Sequence, residues 1–279
     1  MEGPLSETTL ILEAGRAEEH YWRDLWRYRE LFSVLAWRDV SVRYKQTVIG
    51  AAWALLRPFL TMVIFTVVFG RLAKLPSDGT VPYALLVFAG LLPWSLFSAA
   101  LTGAADTLVA NANLIGKVYF PRIIVPAATI VTALIDFLLS LLILAAMMAW
   151  YRFVPGWQVL FLPVFIVLAL LASLGPGLWM TALNIKYRDF RVVIPFMVQL
   201  GLYVSPVGFS SAVVPEEWRW LYSLNPLVGI IDGFRWCLLG GESTIYWPGF
   251  SVSLGAIAFF LWLGISRFRA TERTFADLI

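Results

Sequence analysis

Two residue types that build most catalytic and metal centres are nearly missing. The chain has one cysteine, Cys237, and one histidine, His20. A single thiol cannot close a disulfide within the chain, and this pair cannot supply the three or four ligands of a zinc site, so redox and zinc chemistry are excluded and both residues are expected to be ordinary ones. Charge is equally scarce, at 14% of residues. The pI near 9.1 comes with a formal charge of only +3, which describes where basic residues sit rather than a nucleic-acid partner. The opening MEGPLSETTLILEAGRAEEH is acidic where a secretory leader has a basic flank and an apolar core, so no leader is expected. There is no D-x-D pair to hold a divalent cation beside a nucleotide sugar, and no apolar run contains a histidine to act as a general base. No internal repeat of the kind that marks many secondary transporters is present.

What is abundant is apolar surface. Hydrophobic residues make up 60% of the 279, with 20 Phe, 13 Trp and 10 Tyr, and the mean hydropathy is +0.78. One soluble core cannot bury that much, so an all-α membrane protein is expected. A helix needs about 20 apolar residues to cross the hydrocarbon. Six runs qualify, at 48–69, 81–105, 123–150, 159–183, 192–214 and 246–265. They give a cytoplasmic segment 1–47, one membrane domain 48–265 and a cytoplasmic tail 266–279. With the N-terminus inside, fifteen of the 21 Lys and Arg residues lie on the cytoplasmic side and five outside. The positive-inside rule therefore predicts that both termini are cytoplasmic. Ahead of the first run, Tyr21, Leu25, Tyr28, Phe32 and Leu35 recur at helical spacing, with Arg23, Arg27 and Glu30 opposite. Trp22 and Trp26 flank this stripe, which suits an amphipathic helix in the headgroup layer; the alternative is a helix packed on a neighbour.

Several places interrupt the apolar pattern. The stretch NANLIGKVYFPR, Asn111 to Arg122, falls in the first cytoplasmic loop. It is not a phosphate loop, because Asn111 stands where the first glycine belongs and Val118 where a Ser or Thr would hold magnesium. Leu108, Ala112, Ile115 and Tyr119 share one side of a short helix that Pro121 ends, tied to two spans, so a push there would move both; an ordinary solvated loop is the other reading. Between Pro215 and Gly249 only 227–239 is apolar, too short to cross, so it enters and returns or lies flat. Asn225 followed by Pro226 reads as a helix N-cap with Pro at the first position, Gly240-Gly241 as the stop, and Asp232 and Arg235 are placed to neutralise each other. Arg57 lies some ~10 Å inside the first run, where it either faces the translocation path and a lipid pyrophosphate or snorkels. Asp136 lies in mid-span with no basic residue expected at its depth, and reads as a packing hydrogen bond before a transport group. Phe65, Phe69, Tyr203 and Phe209 offer ring faces to sugars, or simply pack. Gly175-Pro176-Gly177, Pro195 and Ser205-Pro206 mark expected breaks or kinks.

Several of these stretches, in order, carry a resemblance. RDVSVRYKQTVIGAAWALLRP, LLPWSLFSAAL, NANLIGKVYFPRIIVP, NIKYRDFRVVIPF, QLGLYVSPVGF, NPLVGIIDGFRWCLLG and RFRATERTFADLI resemble the type-2 ABC exporter permeases of the polysaccharide, O-antigen and teichoic-acid branch, from about Trp37 to the C-terminus. The resemblance implies a six-span inner-membrane permease that pairs as a homodimer and binds two copies of a separate cytoplasmic ATPase. That subunit would bind ATP and magnesium, leaving this chain without a cofactor or catalytic residue, and the cargo would be a lipid-linked polysaccharide. By the same resemblance Asn111, Asn113, Lys117, Tyr119, Phe120, Pro121 and Arg122 correspond to the coupling loop on the ATPase. Arg43, Tyr44, Lys45 and Gln46 match the entry to the first span, and Asn184, Tyr187, Arg188 and Asp189 the second cytoplasmic loop. Asn225 to Gly240 matches a re-entrant helix near the exit. A permease for a small drug or lipid, and less so a membrane-embedded glycan-modifying enzyme, are the alternatives.

Overall fold

The computed structural model describes residues 21–45, 50–112, 120–187, 189–240 and 243–272, and every regular element among them is helical. The chain opens with α1 (Tyr21–Arg27) and α2 (Arg29–Lys45). Tyr28 separates them, yet its N–H bonds to Asp24 and its carbonyl to Phe32, so the two form nearly one rod. The apolar stripe packs on the bundle: Leu25, Tyr28, Phe32 and Leu35 share a cluster with Ile123, Ile124 and Phe268. Trp26 and Trp37 remain 73% and 68% exposed. The Tyr21 side chain lies outside the described residues.

Helix α3 (Gly50–Phe65) widens into a π-helix over Thr66–Leu72. Then come α4 (Tyr83–Ala110), α5 (Ile124–Trp150), a 3-10 turn (Trp157–Phe161) leading into α6 (Leu162–Lys186), and α7 (Phe190–Val204). Two short helices, α8 (Glu216–Tyr222) and α9 (Pro226–Leu238), precede α10 (Trp247–Glu272). Five helical stretches are long and apolar enough to cross a membrane: Ala52–Leu72, Tyr83–Ala110, Ile124–Trp150, Trp157–Lys186 and Trp247–Glu272. They match five of the six expected runs.

The remaining run departs from expectation. Instead of one helix over 192–214, α7 stops at Val204 after 15 residues, or ~22 Å at ~1.5 Å each. Pro206 explains the stop, since it disfavours helical geometry at the residue before it, and Ser205 is extended at φ −85° and ψ 151°. In the fourth run the reverse holds. Gly175-Pro176-Gly177 reads as a break, but α6 passes through it without interruption. The glycine there serves close approach: a Cβ on Gly264 of α10 would sit 2.0 Å from the Gly175 carbonyl oxygen. Helix α4 lies at the centre, against α5, α6 and α9, with Leu85, Phe88, Phe137, Phe165 and Phe234 in the main core.

Candidate functional site

The break after α7 and the short helix α9 form one unit. Asn225 caps α9 as expected, its side-chain oxygen accepting from the Leu227 N–H at 3.0 Å, with Pro226 in the first turn. Gly240 stops the helix at φ +67°, a conformation that suits a residue without a Cβ. The helix is enclosed by protein on nearly every side: Asp232 is 7% and Arg235 1% exposed. The expected neutralisation between these two acts through space, each being a favourable charge partner of the other, and not as a contact ion pair. Asp232 Oδ2 accepts from the Ser211 hydroxyl at 2.7 Å, and among the described residues no ion pair joins it to Arg235. Arg235 instead donates to three carbonyls, Leu86 at 3.2 Å, Phe209 at 2.9 Å and Val207 at 3.1 Å.

The reason lies in the broken backbone. A helix that ends inside a protein leaves carbonyls without intrahelical donors, and a buried orphan carbonyl must find a partner. The planar guanidinium fork reaches several acceptors at once, which a lysine ammonium cannot match. Other side chains complete the bracing. The Tyr83 hydroxyl donates to the Gly208 carbonyl at 2.5 Å and the Tyr222 hydroxyl to the Val204 carbonyl at 2.8 Å. Asn225 Nδ2 donates to Ser205 Oγ at 3.0 Å. Tyr83 was not singled out from the sequence, because nothing local marks a tyrosine whose acceptor is 125 residues away.

Beside the break lies an aromatic seam. Phe65 and Phe69 meet edge to face at 5.3 Å between centroids, and Phe65 lies 6.4 Å from Tyr203. Phe69 and Phe65 press on Gly208, where a Cβ would stand 2.8 Å from the nearest ring atom. Three of the four proposed path aromatics therefore come together. Phe209 takes part through its carbonyl, held by Arg235, and among the described residues makes no ring contact with the others. Arg57 is exposed on α3, and among the described residues its guanidinium has no hydrogen bond or ion pair.

At the opposite end, Asn111 closes α4 by donating Nδ2 to the Thr107 carbonyl at 2.8 Å. Phe120 and Pro121 are buried, Phe120 in the cluster with Leu35 and Phe268. Arg122 is tied to the last helix: its N–H donates to Glu272 Oε1 at 2.8 Å and its guanidinium to the Glu272 carbonyl. Asn113, Lys117, Tyr119, Gln46 and Arg188 lie outside the described residues. Asn184 is buried and donates to the Ala105 carbonyl at 2.9 Å and to Asp106 at 3.1 Å, fixing α6 to α4. Tyr187 is half-exposed beneath Lys186 Nζ at 5.2 Å, while Asp189 and Lys45 are exposed.

Asp136 has the partners that its position in the sequence denied it. Arg43 Nη2 lies 2.5 Å from its Oδ2, and the Tyr44 hydroxyl donates to its Oδ1. The end of α2 thus reaches well along α5 and brings a cation to the carboxylate. Burial, and then the hydrogen bond to Asp136, hold the Tyr44 phenol well above the ordinary tyrosine value. Both partners were singled out for other reasons; only the tertiary packing of α2 joins them.

Known proteins share this sequence along most of its length. O-antigen export system permease proteins RfbA are 27% identical over 83% of this chain and 91% of their own length (Klebsiella pneumoniae), and 26% identical over 92% and 98% (Myxococcus xanthus). The inner membrane transport permease YadH of Escherichia coli strain K12 is 26% identical over 67% of the chain and 75% of its own length. The family model described as ABC-2 type transporter matches residues 30–239. A helical chain with several membrane-length apolar helices, matched over that span, belongs to the ABC-2 type transporter family.

Proposed function

We propose that this chain is the membrane subunit of an ATP-driven exporter that moves a lipid-linked polysaccharide, an O-antigen or capsule-like glycan, across the inner membrane. The observation that carries this reading is the similarity to O-antigen export permeases over nine-tenths of the chain. Work must come from a partner, since the sequence holds no phosphate loop. Two copies of a cytoplasmic ATPase that binds ATP and magnesium would supply it, seated on the loop 111–122. The membrane body has six crossings. Five are the long helices, and α7 makes the sixth together with the irregular segment that follows it. Its carbonyls are braced by Arg235 and Tyr83, in keeping with the rule that irregular backbone at membrane depth is covered by protein. Enclosed on nearly every side and too short to span, α9 is the re-entrant helix near the exit. Exposed Trp26 and Trp37 hold the first part of the α1–α2 rod at the inner headgroup layer, while its end inclines along α5 to Asp136. Helix α7 buries only Ile194, which leaves an apolar face to a second copy of the permease.

Deletion of the gene tests the reading. Lipid-linked polymer should accumulate in the cytoplasm and vanish from the cell surface, with recovery on re-expression. Intact surface glycan in the deletion strain, or ATP turnover by the purified chain alone, would refute it. Cysteine placed at Lys117 should be labelled only from the cytoplasmic side; periplasmic labelling overturns the orientation.

A further inference from the structure

A small chamber lies apart from the aromatic seam, between α8, α9 and the start of α10. It holds about 140 Å³ and is bounded by Asp232, Arg219, Tyr222, Thr244, Tyr246 and Phe250. At ~30 Å³ of liquid volume per water this is room for about five waters, below the ~300 Å³ at which drug-sized pockets begin. Its polar groups are only partly used. Ser211 occupies Asp232 Oδ2, and among the described residues no hydrogen bond is made to Oδ1. Arg219 spends Nε on the Val214 carbonyl at 2.9 Å and one N–H of Nη2 on the Ala212 carbonyl at 2.8 Å, leaving Nη1 without an acceptor among the described residues. The guanidinium lies 5.9 Å from the centre of the Tyr246 ring, and the Tyr222 hydroxyl is committed to Val204.

We infer that this chamber is a subsite for one neutral pyranose ring of the exported glycan, an inference that rests on the glycan-export reading above. Vicinal hydroxyls donate to Asp232 Oδ1 and accept from Arg219 Nη1 and the Thr244 hydroxyl. The C–H face of the ring lies on Tyr246 or Phe250, where many weak dispersion contacts sum. Other ligand classes fit less well. A phosphate would set a second negative charge beside the Asp232 carboxylate, and the Nε–Nη2 edge of Arg219 is already taken. A calcium ion needs six to eight oxygens and would meet a guanidinium instead. An apolar tail would bury Asp232 Oδ1 without a partner, at a cost no alkyl contact returns.

The test is saturation-transfer NMR on the full chain in nanodiscs, probed with methyl glucoside, methyl galactoside, methyl mannoside and methyl rhamnoside. At least one glycoside should show ring-proton saturation, and Asp232→Asn should reduce it at least fivefold. Since Asp232 also holds Ser211, the rim variants Thr244→Val and Tyr246→Leu serve as a second measurement, each expected to cut the signal at least threefold. No transfer from any of the four glycosides, or unchanged transfer in both rim variants, overturns the inference. Displacement of the glycoside by an equal concentration of phosphoethanolamine also overturns it, by assigning the chamber to a lipid headgroup. The two readings fail separately. Polymer stranded on deletion with no glycoside binding refutes the subsite alone, whereas glycoside binding with surface glycan intact on deletion refutes the export reading alone.

Discussion

Replacing Arg235 with methionine removes the brace from the broken helix while roughly keeping its volume. Three N–H···O bonds are lost, at 2.9–3.2 Å, from a side chain 1% exposed. A hydrogen bond from a charged donor contributes ~1.5–3 kcal/mol, which gives a gross loss of about 6 kcal/mol. Removing a buried guanidinium also returns its desolvation cost, which offsets roughly half of that and leaves about 3 kcal/mol. At ~2–4 °C per kcal/mol for a chain of this size, the thermal midpoint should fall by about 6–12 °C. The assay is a tryptophan-fluorescence melt of the purified permease in detergent. Lysine at the same place keeps the charge but cannot serve three acceptors in fixed directions, so Arg235→Lys should fall between methionine and the native residue. A methionine variant that melts within about 2 °C of the native chain would refute the reasoning, since the carbonyls of Val207 and Phe209 in the irregular segment would then not need this donor.

Three further outcomes follow from contacts described above. In a double-mutant cycle on Arg43→Gln and Asp136→Asn, the half-exposed arginine limits the coupling to about 1–2 kcal/mol, and additive losses would show that the pair contributes nothing. Tyr44 should stay protonated above pH 10: the unfolded chain ionises first, so the stability this phenol contributes is complete below its unfolded value and is lost as the pH climbs above it, and ultraviolet titration against Tyr44→Phe reads the difference. Gly264→Ala forces its new carbon to within 2.0 Å of the Gly175 carbonyl and should cost about 1–3 kcal/mol by prying α10 from α6; an unchanged melt would refute that close approach.

What the sequence disclosed and what it concealed divide along the range of the interactions. Asn225-Pro226 and Gly240 marked both ends of α9 because caps and stops are chemistry between residues a few places apart. Five long helices were legible because hydrophobic length is a property of one segment. Ser205-Pro206 was visible as a disturbance, but its effect as a full stop was not, since neighbours that accept the freed carbonyls decide whether a helix bends or ends there. Gly175-Pro176-Gly177 misled for the converse reason: the same residue types that loosen a helix also let another helix touch it. Arg43 and Asp136 were each conspicuous, and their union was hidden by 92 intervening residues. The spacing that sets Asp232 and Arg235 on one helical face suggested a pair; the two charges do offset each other, but the hydrogen bonds of the arginine go to tertiary carbonyls that the spacing could not show. Of the predicted loop contacts, those at Asn113, Lys117 and Tyr119 fall outside the described residues.

The clasp between Arg122 and Glu272 has a mechanical corollary. It grips a residue near the finish of the chain from a residue just ahead of its third crossing, through the main chain and the side chain together. Two helices from distant parts of the polypeptide thereby share one footing, so a load arriving at either root is divided between them before it travels outward. Ending the chain before Glu272 would remove that clasp and leave each helix to carry more of the load alone.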